Sequence, residues 1–196
     1  MSKLVVVENV SLDGVMQAPG RPDEDIRGGF DRGGWATQAL EKDPEAAQAS
    51  MAGQAKTGAL LFGRRTYEDV VGHWLSTSEP NPFTEILEKT PKYVASRTLT
   101  EPLPHPNSTL LKGDAINEIS ALKQESDKDL AVLGSGVLVR DLAAAGLIDE
   151  YILTIIPVVL GSGTRLFGDT YIPLQVANSV TTSSGIVVAT LRVDSS

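Results

Sequence analysis

The stretch from Leu130 to Phe167 constrains this chain most. It reads LAVLGSGVLVRDLAAAGLIDEYILTIIPVVLGSGTRLF. A short apolar run ends in Gly134-Ser135-Gly136, a segment with helical spacing follows, and a second, longer apolar run ends in Gly161-Ser162-Gly163. The order is strand, glycine turn, helix, strand. Glycines at the carboxyl end of a buried strand, just ahead of a helix, let a phosphate approach bare backbone N–H groups. The pattern predicts an α/β chain that binds a nucleotide.

The rest of the chain extends this alternation. Residues 3–10 are apolar and β-branched and read as a buried strand. Residues 17–35 are rich in Gly, Pro, Asp and Arg and form a long loop, of the kind that is functional or mobile in compact domains. Residues 37–56 are Ala- and Gln-rich, with Pro44 placed to open a second short helix. A strand is expected over 59–62, with a helix starting near Arg65-Thr66. A loop with a short helix follows over 73–90, interrupted by Pro80 and Pro82. Further strands are expected over 92–96 and 108–111, with irregular chain between them. Asp114 is placed to cap a helix running to about Gln124, where Ile116, Ile119 and Leu122 keep helical spacing. Strands over 129–133 and 150–160 flank a helix over 137–145 that stops at Gly146. Two β-rich runs, 174–183 and 186–193, join at Ser184-Gly185 as a hairpin. Strands alternating with helices, closed by a hairpin, give an α/β sheet with an antiparallel edge. No internal repeat or linker divides the chain, so residues 1–196 read as one domain.

Composition closes off several classes. Hydrophobic residues make up 41% and charged residues 21%, which is enough for a core and argues against disorder. The net charge of −8 disfavours nucleic-acid binding. With no cysteine, thiolate catalysis and Cys-ligated zinc are excluded. Two histidines, His73 and His105, leave little for an imidazole site, so no metal is expected. The apolar start is too short for a signal sequence, and no run reaches about 18 apolar residues. A cytoplasmic protein with a small-molecule substrate and no membrane partner is the expectation.

Three turns carry the chemistry. In Phe62-Gly63-Arg64-Arg65-Thr66-Tyr67 a strand ends at glycine, and a helix begins among guanidinium and hydroxyl groups, a setting suited to phosphate. An ordinary strand-to-helix turn with solvated arginines fits the same residues. Ser96-Arg97-Thr98 ends another strand with two hydroxyls around an arginine, whose fork of donors fits a phosphate monoester such as the 2′-phosphate of NADP, though a plain surface arginine at a strand end fits the same residues. Gly134-Ser135-Gly136-Val137 falls short of the G-x-G-x-x-G fingerprint, because Val139 stands at the third glycine position. Strands of one sheet deliver their carboxyl ends to one edge, so the three turns could follow an extended dinucleotide. Asp13, just past the first strand, is a candidate for a polar substrate contact or proton relay, and equally reads as a turn aspartate before Gly14. Trp35 could stack on a flat heterocycle or simply pack.

These residues resemble the dihydrofolate reductase-like superfamily, and within it the small stand-alone bacterial members of the riboflavin-biosynthesis reductase (RibD C-terminal) branch. The likeness rests on Ser11-Leu12-Asp13-Gly14, Gly33-Gly34-Trp35 and the Phe62–Tyr67 motif. Most specific is Gly146-Leu147-Ile148-Asp149-Glu150 followed by Pro157 to Gly163. The resemblance implies a three-layer fold with a mostly parallel central sheet, a C-terminal antiparallel hairpin and helices on both faces. It implies NADPH as hydride donor, with Gly63, Arg64, Arg65 and Thr66 on the phosphates. Ser96, Arg97 and Thr98 would hold the adenosine side, and Gly134, Ser135, Gly136 and Val137 would lie beneath the pyrophosphate or ribose. Residues 161–164 would face the nicotinamide or substrate, or only turn the chain. Thr154 resembles the superfamily's pterin-side threonine. The acidic residue that dihydrofolate reductases carry on the helix after the first long loop has no fixed counterpart among Glu41, Asp43 and Glu45. The implied activity is reduction of a pterin- or aminopyrimidine-like substrate, as in riboflavin biosynthesis, by a homodimer. The alternative is a nucleotide-binding module that has lost its substrate site.

Overall fold

The computed structural model describes residues 2–53, 57–80 and 82–194. In chain order the elements are β1 (Leu4–Ser11), α1 (Trp35–Leu40), α2 (Pro44–Gly53), β2 (Thr57–Gly63) and α3 (Arg64–Thr66). A wide helical turn (Tyr67–Val71) leads into α4 (Gly72–Ser76), α5 (Pro82–Lys89), β3 (Lys92–Ala95) and β4 (Ser108–Leu111). Then come α6 (Ala115–Glu125), β5 (Asp129–Leu133), α7 (Gly136–Ala144), β6 (Glu150–Ile156), β7 (Leu174–Thr181) and β8 (Val187–Val193). The helical region expected over 37–56 is two helices, with Pro44 opening the second; residues 54–56 lie outside the described residues. Two expectations fail for local reasons. Pro82 begins α5 rather than interrupting a loop, because the first helical position needs no N–H. The apolar run 150–160 leaves the strand at Pro157, which cannot donate to a ladder, so β6 stops at Ile156.

The chain forms two compact units. The first comprises Met1–Leu4 and Lys56–Leu147, and the second Val5–Ala55 and Ile148–Ser196.

In the first unit, β4, β3, β2 and β5 lie side by side in that order, all parallel. Ala59 to Phe62 and Leu130 to Val132 are fully buried, as continuous apolar runs in parallel sheets are. Asp114 caps α6 as expected, its Oδ1 accepting from the Ile116 N–H at 2.9 Å. At the start of β3, Lys92 is 1% exposed. Its ammonium donates to the carbonyls of Leu87 and Thr90 at the end of α5, where a helix favours a cation. Burial still pushes its pKa down. Tyr67 packs edge-on to His105 and accepts from its backbone N–H at 3.3 Å, so its phenol is structural. Burial, with Lys92 nearby, lowers the His105 imidazole below its ordinary value.

In the second unit the order is β1, β6, β8, β7. β1 and β6 are parallel, and both pairings of β8 are antiparallel. Counted with the parallel strands of the first unit, this is the mostly parallel strand set with an antiparallel C-terminal hairpin that the sequence predicted. One sheet face carries a core of Val15, Ala18, Phe30, Trp35, Ala36, Ala46, Ile156, Leu160, Ile186 and Val188. Asp43 pins α2 to the hairpin. Its Oδ1 accepts from the Ala46 N–H at 3.0 Å, and its Oδ2 accepts from the hydroxyls of Thr182 and Ser184. These bonds hold its carboxyl below the usual range.

Candidate functional site

The first unit gathers the expected phosphate-binding turns. β3, β2 and β5 are neighbours running the same way, so the turns at Ser96, Gly63 and Gly134 leave from one edge. Two of these turns interlock. The Gly63 N–H donates to Ser135 Oγ at 2.9 Å, and the Ser135 N–H donates to Thr66 Oγ1 at 3.0 Å. Ser135 Oγ in turn donates to the Leu133 carbonyl at 3.0 Å. Gly134 sits at φ +55°, where a Cβ would come 2.7 Å from Thr66 Cγ2. Only glycine allows that approach. Ser135 itself adopts φ 61°, an uncommon conformation for a residue with a side chain.

This lacework changes what the turns offer. The N–H groups of Gly63 and Ser135 and the hydroxyls of Thr66 and Ser135 are spent on building the turn. Open to a ligand are the first-turn N–H groups of α7, at Gly136 and Val137, which have no intrahelical partner. Arg64 pairs with Glu68 at 3.4 Å. Arg65 and Arg97 are exposed and, among the described residues, are not ion-paired. Ser96 Oγ accepts from the N–H groups of Thr98 and Leu99, at 3.1 and 3.0 Å, so it shapes the loop that presents Arg97. No described contact joins Arg97 to the interlocked turns. The donor set of two free guanidiniums, a helix start and side-chain-free backbone fits the phosphates of a dinucleotide.

The second unit holds Asp13, Trp35 and Thr154, in three separate roles. Asp13 is fully engaged. Its Oδ1 accepts from the Ser11 hydroxyl at 2.7 Å and the Leu160 N–H at 3.0 Å. Its Oδ2 accepts from the Gly161 N–H at 2.9 Å and lies 3.7 Å from Arg165. The Ser11 hydroxyl and these backbone N–H groups lower its pKa from 3.8 to about 2. A carboxylate that stays ionised and tied to the chain is no proton relay near neutral pH, so Asp13 acts as a latch for residues 160–165. Trp35 is 8% exposed, inside the core cluster, with Nε1 donating to the Gln17 carbonyl at 2.9 Å. It packs rather than presenting a free face. Thr154 is 1% exposed in the middle of β6, between Asn9 of β1 and Val188 of β8.

A depressed carboxylate stabilises the folded state above its unfolded pKa and loses that contribution as pH falls through the folded value. The Asp13 contribution therefore fades between about pH 3.8 and about pH 2. Asp13→Asn is expected to be less stable than wild type at pH 7, with the gap closing near pH 2. Urea midpoints across that range test this, and a gap independent of pH would show that the charge is not what holds the latch.

Sequence reading missed Gln17. It is buried, its Nε2 donates to the carbonyls of Asp25 and Arg27, and its Oε1 accepts from the Thr164 N–H at 2.8 Å. With Arg32, which donates to the Leu160 carbonyl, it ties loop 17–35 to residues 160–164. A lone glutamine in a loop gives no periodic or motif signal. Of the three acids considered for the helical region, only Asp43 points inward, and it is committed to Thr182 and Ser184; Glu41 and Glu45 are exposed. Among the described residues no metal-binding cluster of His or acidic side chains occurs, and no helix is long and apolar enough to cross a membrane.

The chain is similar to several known proteins. The RibD C-terminal domain family matches residues 2–188. The uncharacterised protein YyaP of Bacillus subtilis (strain 168) is 35% identical over 153 residues, covering 74% of this chain and 78% of that protein. A protein from Shewanella sp. PV-4 with a suggested role in riboflavin biosynthesis superposes with a TM-score of 0.66 at 23% identity, covering 99% of each chain. Dihydrofolate reductase from Enterococcus faecalis, solved in complex with NADP(H) and RAB-propyl, superposes with a TM-score of 0.60 at 13% identity, covering 98% of this chain and 96% of the other. The fold is thus dihydrofolate reductase-like. On the match across nearly its whole length, the chain belongs to the RibD C-terminal domain family.

Proposed function

We propose that this chain is an NADPH-dependent reductase of a small heterocycle of the pterin or aminopyrimidine kind. The observation that carries the reading is the pair of interlocked turns at Gly63–Thr66 and Gly134–Val137, on the edge from which Arg65 and Arg97 project unpaired. Arg65 and the start of α7 would hold the pyrophosphate, and Arg97 the 2′-phosphate. The bound nicotinamide would supply the hydride; the chain's own task is to orient two flat rings and exclude water. Family membership, and a structural relative solved with NADP(H), support the same cofactor class. A cytoplasmic homodimer with neither nucleic-acid nor membrane partner belongs to this proposal.

The commitment of Asp13, Asp43 and Trp35 to structure favours one rival, a nucleotide-binding module without turnover. Titrating the purified protein with NADPH and NADH, following Trp35 and Trp74 fluorescence, tests the cofactor reading. Micromolar NADPH binding with preference over NADH is the expected result, and binding of neither would end the reductase reading. Consumption of NADPH with a pterin or aminouracil would remove the rival.

A further inference from the structure

Thr154 has a neighbour that the family motifs do not include. Asn9 on β1 is its register partner, so the two side chains stand next to each other on one sheet face. Val188, the partner of Thr154 on its other side, places that face as the one carrying the Trp35 core. Along β1 the same face runs Val5, Val7, Asn9, Ser11. The two outer residues are buried, whereas Val7 and Asn9 stay half-exposed, so the cover opens over Asn9. Neither the Asn9 amide nor the Thr154 hydroxyl makes a side-chain hydrogen bond to a described residue. Side chains facing such an opening are free to bond water or a ligand.

The carboxylates around the strip are already engaged. Asp13 is tied to Leu160 and Gly161, and Asp43 to Thr182 and Ser184. Glu150, four residues back along β6, lies 3.6 Å from Arg192. α2 turns the small side chains of Ala46 and Ala49 toward this core and keeps Glu45 in solvent.

We infer that Asn9 and Thr154 form the specificity-determining pair of this site and bind the amide edge of a neutral heterocycle. A primary amide offers one donor and one acceptor side by side, the complement of a ring N–H next to a ring carbonyl, and the threonine hydroxyl can serve either sense. With the nearby carboxylates already engaged, a protonated diaminopyrimidine edge gains little from charge. The inference rests on the reductase reading and deepens it by naming the edge that the substrate presents.

The test is calorimetric binding of a 2-amino-4-oxopteridine and a 2,4-diaminopteridine to the full-length protein with NADP⁺ present. Wild type is expected to bind the 4-oxo compound at least as tightly as the diamino compound. Asn9→Ala should weaken 4-oxo binding about tenfold or more, the scale of a lost bidentate contact. Asn9→Asp should shift the ratio about tenfold toward the diamino compound, whose protonated ring a carboxylate can pair with. Thr154→Val, which keeps shape and removes the hydroxyl, should also weaken both ligands, and serves if an Asn9 variant does not fold. Unchanged 4-oxo affinity in Asn9→Ala, or an unchanged ratio in Asn9→Asp, overturns the inference. NADPH binding without binding of either pteridine overturns it too while leaving the cofactor reading intact; loss of NADPH binding in wild type marks failure of the reductase reading itself.

Discussion

Trp35→Ala is expected to cost about 3–5 kcal/mol of folding stability, the usual range for an aromatic removed from a core. The ring is 8% exposed and packs among Val15, Ala18, Phe30, Ile156, Leu160 and Val188. Its removal leaves a cavity between α1 and the sheet and strips the Gln17 carbonyl of its donor. Trp35→Phe should cost less, since it keeps most of the packing and loses only the indole N–H. Urea unfolding followed by circular dichroism measures both. A loss below about 1 kcal/mol for the alanine variant would put the ring outside the core, free to stack on a ligand.

The second large effect concerns the cofactor. Arg65→Gln combined with Arg97→Gln is expected to raise the NADPH dissociation constant by about two to four orders of magnitude, at about 1.5–3 kcal/mol for each charge-assisted contact. Both guanidiniums are exposed and, among the described residues, have no ion pair to relax into. Arg97→Gln alone should cut NADPH binding and leave NADH binding nearly unchanged, because only NADPH carries the 2′-phosphate. Arg64→Gln should matter less, as its guanidinium is already shared with Glu68. Fluorescence titrations at two salt concentrations read all three, and binding in wild type should weaken with salt. Full affinity in the double variant would remove both arginines from the site.

The contrast between these two effects reflects what a sequence can convey. Periodicity and glycine placement made the strand–turn–helix units legible, because burial of continuous apolar runs and the need for positive φ leave marks on local composition. The turns at Gly63 and Gly134 were visible in that way. Their mutual interlock was not, since Thr66 and Ser135 lie far apart in sequence and meet only because β2 and β5 are neighbours. The same applies to Asp13. A turn aspartate before glycine looks identical whether it faces solvent or accepts from Leu160 and Gly161, and only the pairing of β1 with β6 brings those N–H groups to it. Gln17 and Asn9 carried no signal at all. Their roles come from what stands across from them, and a single sequence does not record register.

The chain path also sets an order on synthesis. The first unit is nearly one continuous piece, whereas the second is made from two segments separated in the sequence by that piece. β1 leaves the ribosome well before its ladder partner β6, which begins at Glu150, and the hairpin that completes the unit follows later still. Val5, Val6 and Val10, all buried in the finished protein, therefore wait unpaired while most of the chain is made. Non-local pairing of this kind slows folding and leaves apolar strand exposed to wrong partners meanwhile. The nascent chain is thus vulnerable at β1 until β7 and β8 emerge.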